Sequence, residues 1–190
     1  MKDIDRPRIH VDRQTEADPR AYALALLEDP IQLAHLLNDR RNRLLRRNIK
    51  REFGKGSPDQ LLELTGKLLD AIGSPDEKRT TDKKDGAVHL LREVSLERVD
   101  PQKLFDLYRE ELDKQKKPID PTGNIFPLVE AGNILTPHFP STDETIHDLA
   151  AALDSTAKKL QDGHDDHHGI RARMAGLLNH LHLRKITCGK

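Results

Sequence analysis

The chain has 190 residues, of which 32 are lysine or arginine and 32 are aspartate or glutamate, so its formal net charge is zero. This balance excludes a protein that attracts polyanions through its overall charge and leaves only local segregation of charge to do so. No apolar run reaches the roughly 18 residues of a membrane span, the amino-terminal residues lack the apolar centre of a signal peptide, and a lone cysteine excludes an internal disulfide framework, so we expect a cytoplasmic protein without membrane association.

The first 17 residues are polar and show no periodicity, and we predict that residues 1–17 form a flexible N-terminal arm. The rest of the chain, residues 18–190, is expected to form a single helical domain. Its core must be built from aliphatic residues, because the chain has no tryptophan, two tyrosines and four phenylalanines. The predicted fold class is therefore all-α, a compact bundle of roughly seven helices.

Helix starts are indicated by proline pairs. Six of the eleven prolines follow aspartate or serine: Asp18-Pro19, Asp29-Pro30, Ser57-Pro58, Ser74-Pro75, Asp100-Pro101 and Asp120-Pro121. An N-cap side chain accepts hydrogen bonds from free amides of the first turn, and proline at the next position loses no helical hydrogen bond. The same pairs also suit type I turns, so the periodicity that follows each pair must decide between the two.

The predicted helix over residues 31–53 organises the chain, after a shorter helix that ends at Asp29. One side of the longer helix is apolar at the helical period and consists of Ile31, Leu33, Ala34, Leu37, Leu44, Leu45, Ile49 and Phe53. The other side is basic, since seven lysines and arginines and no acid lie between Arg40 and Arg51. Arg41 falls inside the apolar arc, and we predict that it is partly buried and paired with a carboxylate.

The middle of the chain predicts further helices separated by a polar stretch. Ser57 and Gln60 form a capping box at the start of a helix that ends at Gly73. Residues 74–86 have no apolar face, which predicts an exposed loop to Gly86. Residues 87–94 form a short apolar helix or strand, with helix favoured by composition, and Asp100 caps the next helix.

Residues 118–140 differ in kind from their neighbours, because five prolines and two glycines separate short apolar pieces. We predict a proline-rich apolar loop rather than a helix. A loop this apolar must lie on the helical body, either as a buried structural lid or hairpin or as a loop that binds a ligand or partner.

Two helices complete the chain. Ser141 is the predicted N-cap of the first, with Glu144 closing a capping box, and Gly163 is its predicted end. The last helix is expected to begin between His164 and Gly169, with one apolar side made of Ile170, Met174, Leu177, Leu178, Leu181 and Ile186.

The basic side of the helix at residues 31–53 is the clearest candidate site. We assign partner binding to Arg40, Arg43, Arg46, Arg47, Lys50 and Arg51, facing an acidic protein surface or the backbone of a nucleic acid. Because aromatic residues are scarce, contact with nucleic acid would be with phosphates rather than by base stacking. The alternative is a face neutralised within the chain by the acids of residues 143–166 or by Glu110, Glu111 and Asp113.

A histidine cluster carries the other candidate chemistry. His164 and His168 are four residues apart and share one helix face, with Asp165 beside the first, which resembles the zincin metalloprotease signature over five residues. That family has glutamate as general base where this chain has Asp165, and the third ligand would have to be His180 or His182. We therefore predict no cofactor and no metal, with His164, His168 and His180 as the candidate ligands if a metal binds.

The function expected from these patterns is that of a non-enzymatic helical interaction protein, a subunit or adaptor of a larger cytoplasmic assembly. The alternative is a metal-dependent hydrolase that uses His164, Asp165 and His168. The sequence identifies neither the partner nor a small-molecule ligand.

Overall fold

The structure is a computed structural model that describes residues 54–73, 80–115, 125–158 and 166–188, together with Arg47 and Arg51. Within these ranges the regular structure is helical, which confirms the predicted all-α fold. Six α-helices lie there, against the roughly seven expected over the whole chain: α1 Pro58–Gly73, α2 Thr80–Leu91, α3 Pro101–Lys114, α4 Ile125–Leu135, α5 Asp143–Lys158 and α6 Asp166–Cys188. The predicted arm, the helix before Asp29 and most of the helix at residues 31–53, including Arg41, lie outside the described residues.

The start of α1 is the predicted capping box. The Gln60 amide donates to the Ser57 hydroxyl oxygen at 3.3 Å, and the Ser57 amide donates to the Gln60 side-chain oxygen at 2.9 Å. This reciprocal pair satisfies two amides that have no partner within the helix. The face that follows is buried as predicted, through Leu61, Leu64, Leu68, Leu69 and Ile72.

Helix α2 corrects the predicted exposed loop. Residues 80–86 belong to the helix, and Lys84 and Gly86 are buried. The polar stretch has no apolar face of its own, but Ala87, Val88 and the leucines that follow anchor the helix in the core. Because extending a helix costs far less than nucleating it, this anchored end carries the polar turns with it.

The prediction of a proline-rich loop at residues 118–140 is wrong where helix α4 lies. Residues 118–124 lie outside the described residues. Pro127 stands in the first turn, where its missing N–H had no helical partner, so it does not break the helix. Pro137 lies in a short 3-10 helix, Thr136–His138, that follows at once. Seven of the eleven residues of α4 are buried. The apolar segment that we expected to lie over the helical body as a loop is therefore a helix inside the core.

Helix α4 lies at the centre of the described bundle, where it contacts α1, α2, α3 and α6. Helix α3 packs on α1 and α5, and α6 packs on α5. A small aromatic group closes the core beside α4, with the Phe139 ring 5.5 Å from Phe105 and 5.8 Å from Tyr108 between centroids. The Tyr108 hydroxyl donates to the Leu128 carbonyl oxygen at 3.1 Å, which satisfies a buried polar group.

Of the last two helices, α5 has a different cap from the one predicted. Thr142 rather than Ser141 caps α5, since the Thr145 amide donates to the Thr142 hydroxyl oxygen at 3.1 Å. The helix is described as far as Lys158, and its predicted end at Gly163 lies outside the described residues. Helix α6 begins within the predicted range. On its predicted side Leu178 is half-buried and Ile186 is 54% exposed, and the other residues are buried. None of the six described helices combines the length and apolarity needed to cross a membrane.

Candidate interaction surface

The structure describes Arg47 and Arg51 among the predicted partner-binding residues. Both are helical and exposed. They are four residues apart, so their side chains leave the same side of the helix about 6 Å apart along its axis. Lys55, four residues further, is also helical and exposed. We call these three cations the basic row. The other predicted residues lie outside the described part of the chain: Arg40, Arg43, Arg46 and Lys50.

The helix that carries the basic row ends against the bundle. The Arg98 guanidinium donates from Nη1 to the Gly54 carbonyl oxygen at 2.5 Å, which satisfies one of the carbonyls left free at a helix end. A β-carbon at Gly54 would lie 3.1 Å from the Ser95 hydroxyl oxygen, so the backbone approaches the 95–98 turn closely. This end of the basic row is therefore held in place by residues of the bundle.

Lys55 and Arg98 are two cations of this surface that the sequence interpretation missed. Lys55 continues the spacing of four and could have been included on that signal. Arg98 is exposed beside the helix end but lies 44 residues away from Gly54 in the chain, so no local pattern points to it. The candidate surface thus extends from the helix onto the 3-10 helix Leu96–Arg98.

Five of the acids that could have neutralised the basic face form ion pairs elsewhere. Within α3, Glu110 and Glu111 lie 3.4 and 3.2 Å from the Lys114 ammonium. On α5 the pairs are Asp143 with Lys185, Asp148 with Arg109 at 3.2 Å, and Asp154 with Lys158 at 2.7 Å. Arg47 pairs with none of the carboxylates that the structure describes. These described acids are therefore engaged with cations other than Arg47.

The histidine cluster falls largely outside the described residues. His164 and Asp165 are not described, and of His168 only the helical backbone is. His180 is exposed on α6. In the described ranges no three histidine, cysteine or acidic side chains stand together as metal ligands could. What we predicted for these metal ligands therefore stays a prediction.

Two charged side chains are buried in the bundle and were not singled out by charge pattern. Lys84 on α2 is 1% exposed and Glu111 on α3 is 4% exposed. Burial lowers the pKa of the Lys84 ammonium, which the Glu111 charge opposes, and burial raises the pKa of the Glu111 carboxyl. A β-carbon at Gly73 would lie 1.7 Å from Glu111 Oε1, so this glycine makes room for the carboxylate. Such a closed arrangement stabilises packing and offers no access to a substrate.

Comparisons with protein-family models, curated proteins and solved structures find no match to this chain.

Proposed function

We propose that this chain is a non-enzymatic helical interaction protein, a subunit or adaptor of a larger cytoplasmic assembly. It uses the basic face of residues 40–51, extended to Lys55, against an acidic protein surface or the backbone of a nucleic acid. The observation that carries the proposal is the basic row, in which Arg47, Arg51 and Lys55 are exposed at a spacing of four on one helical side.

Two further features support a binding surface over a solvated one. The helix end is fixed by the bond from Arg98 to Gly54, so less side-chain and backbone freedom is lost when a partner binds. Glu110 on α3 and Asp148 and Asp154 on α5 have cationic partners of their own, which engages these three acids away from the row. A row of like charges attracts polyanions at a rate and affinity that depend on salt.

The test compares two triple variants of equal charge. Arg47→Ser, Arg51→Ser and Lys55→Ser remove the basic row, while Lys67→Ser, Lys103→Ser and Lys158→Ser remove three exposed lysines on other helices. Binding to duplex DNA, duplex RNA and polyglutamate is measured by fluorescence anisotropy over a range of salt. The basic-row variant is expected to bind at least about tenfold more weakly, with the salt slope on duplex DNA reduced by about 2 to 3.

The control variant is expected to bind like the unmodified chain, because exposed ion pairs contribute little to the fold and the lysines lie off the row. Circular dichroism checks that both variants remain helical. Equal losses in the two variants would show that only net charge matters, and an unmodified chain that binds none of the three probes at low salt would rule the proposal out.

A further inference from the structure

Glu111 is the one acid buried in the part of the chain that the structure describes, where it is 4% exposed. Its carboxyl group lies against the last residue of α1, because a β-carbon at Gly73 would overlap Glu111 Oε1. The Gln115 side-chain amide, just beyond the end of α3, donates to the Gly73 carbonyl oxygen at 3.1 Å. The carboxyl ends of α1 and α3 therefore meet beside this buried acid.

The carboxyl end of a helix is an unfavourable place for a carboxylate. The last four carbonyl oxygens have no partner within the helix, and the helix dipole adds partial negative charge at this end. Glu111 Oε2 accepts a hydrogen bond from the Lys114 ammonium at 3.2 Å, whereas Oε1 has no donor among the described residues. A neutral carboxyl group would carry a hydrogen that a carbonyl oxygen of α1 can accept. The position therefore suits the acid form better than the charged form.

Charged side chains of three helices face the Glu111 carboxyl group and act on it in both directions. Burial raises its pKa, and the negative charges of Asp70 on α1 and Glu110 on α3 add to this effect. Lys114 on α3 and Lys84 on α2 oppose it, because a cation favours the charged form. The net result is a pKa above the ordinary value of a glutamate.

We propose that Glu111 is a proton switch between α1 and α3, which takes up a proton from solvent in mildly acidic conditions and then donates a hydrogen bond to the carbonyl end of α1. Protonation removes a charge from the core and supplies Oε1 with a hydrogen to share, so the two helix ends are held together more firmly. The Lys114 side chain is half-exposed and contacts Oε2, so solvent lies within one side chain of the carboxyl group. This inference does not depend on the basic row.

The effect on stability follows from the difference in proton binding between the folded and the unfolded chain. A glutamate whose pKa is raised by folding is protonated in the folded chain at a pH where the unfolded chain still holds it charged. Its contribution to stability is therefore fully present below the pKa of the unfolded chain, and it is lost as the pH rises through the pKa of the folded chain.

His138 acts in the opposite direction over part of this range. Burial lowers the pKa of its imidazole, the positive charge of Arg184 adds to this effect, and the negative charge of Glu97 opposes it. Stability from this histidine is lost as the pH falls through its lowered pKa. The pH dependence of the whole chain therefore mixes the two groups, and only a comparison between variants isolates Glu111.

The matched variants are Glu111→Gln and Glu110→Gln. Each removes a carboxylate that lies within 3.4 Å of the Lys114 ammonium, but Glu110 is exposed and Glu111 is buried. Glutamine keeps the shape of the side chain and a hydrogen-bond donor, so Glu111→Gln resembles a chain that is protonated at every pH. Urea unfolding followed by circular dichroism measures the unfolding constant of each chain.

The ratio of unfolding constants, variant over unmodified chain, is the quantity to follow with pH. For Glu111→Gln it is expected to rise by about threefold or more between about pH 8 and about pH 5, because the unmodified chain gains stability that the variant already has. For Glu110→Gln it is expected to stay within about twofold, because an exposed ion pair contributes little.

Nuclear magnetic resonance observes the same carboxyl group without relying on how well a variant packs. The carbon-13 signal of the Glu111 carboxyl is assigned by its absence in Glu111→Gln and is followed against pH in the unmodified chain. It is expected to change at a higher pH than the glutamate signals of the chain unfolded in urea.

A Glu111 signal that changes at the same pH as in the unfolded chain, or at a lower one, overturns the proposal. A ratio for Glu111→Gln that does not rise as the pH falls overturns it as well. Equal trends in the two variants would show that any carboxylate beside Lys114 has this effect, and they would also overturn it.

Discussion

A β-carbon at Gly132 would lie 2.3 Å from the Tyr108 hydroxyl oxygen and 2.9 Å from the Leu177 side chain. The Tyr108 ring is buried and held by its hydrogen bond to Leu128, so it has no free space into which it can move. Gly176 is also within a helix, but a β-carbon there would meet no atom of the described residues within 4 Å. At the scale of single residues, glycine is therefore required at position 132, whereas at position 176 it lowers the stability of the helix.

The matched variants Gly132→Ala and Gly176→Ala are therefore expected to change stability in opposite directions. Gly132→Ala should lower the free energy of unfolding by about 2 to 3 kcal/mol, because it overpacks the core. Gly176→Ala should raise it by about 0.5 to 1 kcal/mol through helix propensity. Urea unfolding at low protein concentration measures both, and a loss at Gly176 would mean that its surroundings are occupied.

At the scale of elements, α5 shows how a sequence can indicate a helix and misplace its cap. Ser141 and Thr142 are both good N-cap residues, and the capping-box pattern favours Ser141 with Glu144. The structure uses Thr142, whose hydroxyl also lies 2.8 Å from the Thr145 hydroxyl. The contact between the two hydroxyls depends on Thr145 being buried. The local sequence pattern does not reveal that burial.

The caps can be separated by substitution. Thr142→Ala is expected to lower the free energy of unfolding by about 1 kcal/mol, because the Thr145 amide loses its acceptor. Ser141→Ala, one residue earlier, is expected to change it by less than about 0.5 kcal/mol. The midpoint of chemical unfolding reports each value, and a larger effect at Ser141 would restore the cap that the sequence pattern favours.

Helix α4 shows what the sequence could not supply. Its apolar content predicted burial, which is correct, but proline and glycine predicted a loop, which is wrong over residues 125–135. Proline excludes a helix interior and not its first turn, so the answer depended on where the helix begins. By contrast, α1, α3 and α6 had strong periodicity and clear starts, and their apolar faces were predicted with few errors.

The candidate surface was predictable to a similar extent. Spacing along one helix indicated Arg47 and Arg51, and the structure places both on the exposed side. Arg98 joins them only because the chain returns to the end of that helix. Ile186 was wrongly assigned to the core for a related reason, because Arg184 is the residue that turns inward, toward the carbonyl oxygens of Thr136 and Phe139.

At the scale of the whole molecule, the described helices share one hydrophobic core to which each contributes. Helix α4 contacts both α1 and α6, which do not adjoin in sequence, so loosening either one removes support from the same central helix. The described helices from α1 to α6 therefore form one unit, and this has a consequence for unfolding. That residues 18–190 form one domain stays a prediction. Elements that share a core are stable only together.

We therefore expect a single cooperative transition. Leu68→Ala in α1 and Leu177→Ala in α6 remove buried side chains from two helices that both contact α4, and each should cost about 2 to 5 kcal/mol. Both should shift the same transition, with far-ultraviolet circular dichroism and tyrosine fluorescence giving one midpoint. Leu183→Ala, an equal truncation at an exposed position of α6, should leave that midpoint unchanged at low protein concentration. If α6 instead unfolded in a separate step in Leu177→Ala, while the rest of the helical signal persisted, the chain would consist of two units.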